Sequence, residues 1–343
     1  MSTMTPRERV LAAMRMEEMD RPPVAVFTQS ATIGQMEATG VFWPAAHSDA
    51  KLMAKLGAAQ AEVLGFEAVR APFCLTAEAE RLGAKVDPGK QDRTPMLKEH
   101  PFVMNPMEGV YDEPKIMDAQ EFLKGGRPAA CLEAISILKK QYGDKYPIIA
   151  GNTGPFTLAG HMVNTENLVF AILMEPDEVV KWIDAVNPIC QAYSQALVDA
   201  GADIVQMSEP SASTDLLSPD MFDDYAGKYI KDSLAAIDGG YSVLHICGDT
   251  YPLLDNMIGT GVTALSIEEK VDPAKAVEKV AGRASLVGNV GVVHPLLQGT
   301  PDDCFKHGQI VAKAGFNVVS PGCGLSALIP NDNLKALVKA VKG

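Results

Sequence analysis

Eight short apolar runs recur along the chain, and most are followed by a segment of helical length. They are VAVFT (24–28), FEAVR (66–70), YPIIAGN (146–152), DIVQMSE (203–209), SVLHIC (242–247), VTALSIE (262–268), SLVGNV (285–290) and FNVVSPG (316–322). Near-continuous apolar runs of this length suit parallel strands covered on both faces. Between them lie helix-length segments at 49–65, 128–143, 178–201 and 301–315. Several helix–strand junctions carry glycine (DAGADIV, KAGFNVV, GTGVTAL), where a left-handed residue closes a helix. Eight strand–helix units predict an α/β fold, a (β/α)8 TIM barrel forming one domain over 1–343. A helix is expected ahead of the first strand, with Thr5 as cap, Pro6 at its first position and Glu8 completing a capping box. Segment 72–126, rich in Pro, Met and charge, breaks the rhythm and is read as an insertion after the second strand. An open doubly wound sheet is the rival fold. No G-x-G-x-x-G follows an early strand and no G-x-x-x-x-G-K-[ST] occurs, which weakens it.

Charge narrows the partners. The 343 residues carry a net charge of −13, spread along the chain, which disfavours nucleic acid and anionic membrane surfaces. No run of 18 apolar residues occurs, and the first residues lack the apolar core of a signal peptide. The six cysteines are scattered rather than arranged as a secreted disulfide framework, so a reducing cytoplasm is expected.

Barrel enzymes place their chemistry at the C-terminal ends of the strands. The residues there are Thr28 and Gln29, Arg70, Asn152, Glu209, His245 with Cys247, Glu268, Asn289 and Cys323. Residues two apart in a strand share a face, with Cα atoms about 6–7 Å apart. His245 and Cys247 therefore reach one common ion. Cys323 sits between two glycines in SPGCGLS, where backbone can approach closely. One nitrogen and two sulfurs suit zinc, and three protein ligands leave a fourth position open, as in catalytic sites. Glu268, at the tip of the neighbouring strand, is the candidate for that position when substrate is absent. Cys131, Cys190 and Cys304 fall on helical patterns and read as small core residues. Cys74 reads as packed or lining the mouth, and His161 lies near the third strand's loop.

TPRERVLAAM, DRPPVAVFTQSAT, FWPAAH, EAVRAPFCLTAEAE, GNTGPFTLA, VLHICGDT, LSIEEKVD, LVGNV and VVSPGCGLSALIP together span nearly the whole chain. With these the sequence resembles the methylcobamide:coenzyme M methyltransferases of methanogens, within the uroporphyrinogen decarboxylase-like barrel superfamily. The resemblance implies zinc held by His245, Cys247 and Cys323, with Glu268 matching a further acidic position. It implies methyl transfer from cobalt to the thiol of coenzyme M (2-mercaptoethanesulfonate) in methylotrophic methanogenesis. No D-x-H-x-x-G corrinoid signature occurs in the chain. The methylated corrinoid is therefore expected on a separate protein docking over the mouth, at 72–126 and 153–175, with no stable complex. Arg70, Gln29 and Asn152 are the candidates to hold the sulfonate. Glu209 and Asn289 are candidates to orient ligands.

Three alternatives stay open. The acceptor can be homocysteine or a pterin, or the barrel can bind a corrinoid or porphyrin without catalysis. The third is uroporphyrinogen decarboxylation, whose substrate carries eight carboxylates and needs cations. The corresponding segment here, VAVFTQSATIGQME (24–37), contains no arginine.

Overall fold

The computed structural model describes residues 3–29 and 31–343. Seven parallel strands form one sheet in sequential order: Val69–Ala71, Ile148–Thr153, Ile204–Ser208, Tyr241–His245, Ala264–Ser266, Ser285–Val290 and Val318–Pro321. Parallel neighbours need long crossovers. These include the helices Gly126–Tyr142, Pro176–Asp199 and Pro301–Ala314.

The eighth expected strand, over 24–28, is regular only at Val24, which bridges Val319. Pro22 and Pro23 precede it and offer no N–H to a ladder. The segment is nonetheless buried and meets both edges of the sheet. The Ala25 N–H donates to Val319 O (3.1 Å), and the Glu67 N–H, beside the first strand, donates to Val24 O (2.9 Å). The sheet is therefore curled until both its edges reach one segment.

Every second residue points into the curl. Ala25, Phe27, Ala68, Ile149, Ile204, Val243, Ala264, Val287 and Val318 pack together there, and Val10, Ala13 and Met14 of helix Pro6–Met14 close that end. Thr5 and Glu8 form the expected capping box on this helix. Arg7 ties it down through a bidentate pair with Asp203 (both 2.6 Å). The plugged end lies at the strand starts, so the strands' C-terminal ends are the ones left for chemistry. The alternate residues, such as Val205, Met207 and Leu244, pack outward in the main core against the helices.

Segment 72–126 lies off the main sheet. It contains two small antiparallel ribbons, Lys85–Asp87 with Met96–Glu99 and Met104–Asn105 with Val110–Tyr111, and the short helices Ala77–Arg81 and Ala119–Leu123. Among the described residues, no helix is long and apolar enough to cross a membrane.

Candidate metal centre

Two steps above the apolar layer, the inner wall turns polar. His245, two residues after Val243, ends its strand, and Cys247 lies two residues past that end, just before Gly248. Cys323 follows the last strand. Its carbonyl accepts from Thr28 Oγ1 (2.7 Å), and the Gly322 N–H donates to Val290 O (2.8 Å). A Cβ on Gly322 would lie 2.9 Å from Glu269 Oε2 and 3.2 Å from Glu268 Cα, so only glycine fits the turn without displacement.

The donor atoms of His245, Cys247 and Cys323 lie within 4.8 Å of one another. Cys247 Sγ is 3.3 Å from His245 Nε2 and 3.4 Å from Cys323 Sγ. On the far side of the ring, His245 Nδ1 meets Ser266 O (3.2 Å) and Ser266 Oγ (3.1 Å). A proton on Nδ1 satisfies these acceptors and leaves the Nε2 lone pair facing the sulfurs, the tautomer a metal needs. The two sulfurs are in hydrogen-bond contact, which lowers the pKa of the Cys323 thiol and raises that of Cys247. One imidazole nitrogen and two sulfurs match zinc in number and softness.

Glu268 is not part of this convergence. Its Oε2 accepts the Gly248 N–H at 2.7 Å, and burial raises its carboxyl pKa. It thereby holds the turn that follows Cys247. Asn289 acts one shell further out, its amide donating to Val271 O (2.7 Å) and Glu268 O (3.2 Å).

The remaining candidates divide by strand parity. Gln29 faces inward, its Nε2 donating to Ser208 Oγ (3.1 Å), and it lines a cavity of about 470 Å³ with Cys74, His161 and Gly324. Arg70 also faces inward but is buried one layer down, donating to Phe27 O (2.8 Å), Pro72 O and Gln206 Oε1 (3.0 Å). Burial pushes its pKa down to about 9, which leaves it charged at neutral pH. Asn152 is not brought to the site. It is one step out of phase with inward Ile149 and Gly151, and its Nδ2 donates to Ser194 Oγ (2.8 Å) on helix Pro176–Asp199. Glu209 is not brought there either. Its carboxylate accepts the N–H groups of Phe156 (2.8 Å) and Thr157 (2.9 Å) at the start of helix Pro155–Val163, and burial raises its pKa to about 7.

Three contributors escaped the sequence reading: Ser266, Gln206 and Ser208. Each lies two or four residues past an inward apolar residue, Ala264 or Ile204, and that interval was the available signal. Cys74 lines the cavity, and the Arg127 guanidinium donates to its sulfur (3.0 Å). His161 lines it too, with burial lowering its pKa to about 4.

A curled parallel sheet bearing an imidazole and two thiols at its C-terminal rim defines the class of protein in structural terms. The chain belongs to the uroporphyrinogen decarboxylase (URO-D) family, whose profile matches residues 5–343. Within that family it is 39% identical over 351 residues to methylcobamide:CoM methyltransferase MtbA of Methanosarcina acetivorans, covering 100% of this chain and 99% of that protein. It is 35% identical over 345 residues to methylcobamide:CoM methyltransferase MtaA of Methanosarcina barkeri (99% and 98% covered). A solved structure of a methyltransferase from Methanosarcina mazei matches with a TM-score of 0.91 at 35% identity, covering 98% of each chain.

Proposed function

We propose that this chain is a zinc-dependent methyltransferase that moves a methyl group from a methylated corrinoid, carried by a separate corrinoid protein, to the thiol of coenzyme M. The observation that carries the reading is the convergence of His245, Cys247 and Cys323 within 4.8 Å. It gains weight from full-length similarity to relatives named for that reaction. We also count 24–28 as the remaining strand of a single (β/α)8 barrel, with 72–126 inserted after the second.

His245, Cys247 and Cys323 would hold the zinc. A zinc ion held there would supply Lewis acidity that favours the thiolate form of an incoming thiol, the form that attacks well. The chain's own residues prepare that site. Ser266 fixes the His245 tautomer, and the two cysteine sulfurs supply negative charge, which offsets that of the ion. Glu268 holds the turn after Cys247. It could take the fourth position only by giving up its 2.7 Å bond from Gly248, so we assign it to positioning rather than to ligation. The cavity beside Gly324 leaves room for the acceptor, and in-line approach of the two substrates supplies the remaining rate. Decarboxylation of a porphyrin with eight carboxylates fits poorly, since no arginine occurs in 24–37.

The test is zinc analysis of the purified protein together with coenzyme M methylation from free methylcobalamin. A metal that activates a nucleophile is worth several kcal/mol, so Cys247→Ala and Cys323→Ala should each lose zinc and at least about a hundredfold in rate. Full activity in either variant, or in zinc-free protein, would overturn the reading. A panel of thiols and pterins identifies the acceptor.

A further inference from the structure

Of the six cysteines, four are buried, and only Cys247 and Cys323 are partly exposed. A reagent in solution therefore meets the two sulfurs that face His245 before it meets the others. These sulfurs lie 76 residues apart in the chain and 3.4 Å apart in space. A disulfide draws its sulfurs to about 2.0 Å, which leaves about 1.4 Å of closure. Both residues lie outside the sheet, since their strands stop at His245 and Pro321. Each also borders glycine: Gly248, with φ +87°, follows Cys247, and Gly322 and Gly324 flank Cys323. Closure asks for side-chain rotation and a small loop movement, and no strand pairing has to break. Cys74 is the nearest rival, because it lines the cavity beside Gly324, but it is buried with its sulfur against the Arg127 guanidinium.

We propose that Cys247 and Cys323 form a redox-modifiable pair, which a small dialkyl disulfide oxidises to an internal cross-link that shuts the centre to metal. One cysteine thiolate attacks a sulfur of the reagent R–S–S–R, and an alkyl thiolate leaves. The second cysteine thiolate attacks the protein sulfur of this mixed disulfide, and the second alkyl thiolate leaves. The protein gives up two electrons and the reagent takes them. The two cysteine protons end on the released alkyl thiols, or in the metal-loaded form the ion is released instead. Metal binding and the cross-link each need both sulfurs, so one excludes the other. Only the consequence rests on the methyl-transfer reading: a disulfide of the acceptor's own class turns the centre off, and reduction turns it back on.

The test treats the full chain, zinc-loaded and zinc-free, with bis(2-hydroxyethyl) disulfide, an uncharged probe. Zinc release is followed with a chromophoric chelator, thiols are counted after unfolding, and cross-links are mapped by peptide mass spectrometry. The expected result is loss of two of the six thiols, a single Cys247–Cys323 cross-link with no reagent retained, and one zinc released per cross-link. The second step is intramolecular, so it outruns a further encounter with millimolar reagent. Bound metal occupies both nucleophiles, so the zinc-saturated protein reacts at least about tenfold more slowly than the zinc-free protein. Dithiothreitol followed by gel filtration restores six thiols and zinc uptake. In Cys323→Ser, no second thiol resolves the mixed disulfide at Cys247, and the reagent stays attached. No thiol loss, reagent retained on the wild type, a cross-link through Cys74, or thiol loss with zinc still bound overturns the proposal. Should Cys323→Ser not fold, the wild-type cross-link map decides alone. If the pair closes and zinc leaves but the reduced protein methylates no thiol, the proposed function fails and the redox pair stands. If methyl transfer needs zinc and no cross-link forms, the reverse holds.

Discussion

The His245 tautomer is the most direct handle on the proposed metal centre, and Ser266→Ala perturbs it without touching His245, Cys247 or Cys323. Nδ1–H is shared between Ser266 O at 3.2 Å and Ser266 Oγ at 3.1 Å. The substitution deletes the second acceptor and keeps the first, because the carbonyl belongs to the strand. A neutral hydrogen bond contributes about 1 kcal/mol net, and one shared between two acceptors is only partly lost. Partners of metal-bound histidines typically change affinity by about 10- to 100-fold, and the surviving carbonyl places this case at the low end. The expected result is zinc binding weakened by about five- to tenfold, measured by competition with a chromophoric chelator. Ser266 is fully buried, so the urea midpoint of the zinc-free variant is measured alongside to separate ligand orientation from folding. An affinity within twofold of wild type would refute the argument that Ser266 sets the ring. A loss as large as that of His245→Ala would show that the carbonyl does not hold it.

Two further outcomes follow from buried groups. Glu209 has its pKa raised by burial from 4.5 to about 7. An acid raised in the fold stabilises fully below its unfolded value, and that contribution fades as pH climbs through the folded one. Between pH 4.5 and 8 the stability difference should therefore shift by roughly 3 kcal/mol in favour of Glu209→Gln over wild type. Paired urea titrations measure this, and a pH-independent difference contradicts it. Gly151→Ala drives a methyl into the Arg70 guanidinium, so overpacking should cost about 1–3 kcal/mol in urea unfolding. Unchanged stability would mean that the glycine is not making room for the cation.

Much of the centre was legible in the chain. His245 and Cys247 are two apart at the end of an apolar run, and Cys323 sits between glycines after another. Those are local facts, and they survive in the fold although the strand stops at His245 and Cys247 lies beyond it. Glu268 was placed at the correct strand tip. Nothing in the sequence distinguishes a carboxylate free to reach a metal from one engaged by the Gly248 N–H. The expected strand over 24–28 shrank to one bridge because two prolines lead into it, a signal that was present in the sequence. Asn152 and Glu209 lie apart from the cluster of His245, Cys247 and Cys323 for a different reason. Each was counted by its nearness to a strand end, and each points to a helix instead.

The sequence by itself determined the order of strands and helices, the capped first helix, and the inventory of one imidazole and two thiols at strand ends. Tertiary structure decided which residue of each strand faces inward, and so which side chains meet. A parallel strand covered on both faces is apolar on both, and no alternation in its sequence reveals which side is the interior. Only the curling of the sheet brought Cys323 to His245 and Cys247, set Ser266 behind the ring, and aligned Arg70, Gln206 and Ser208 beside them.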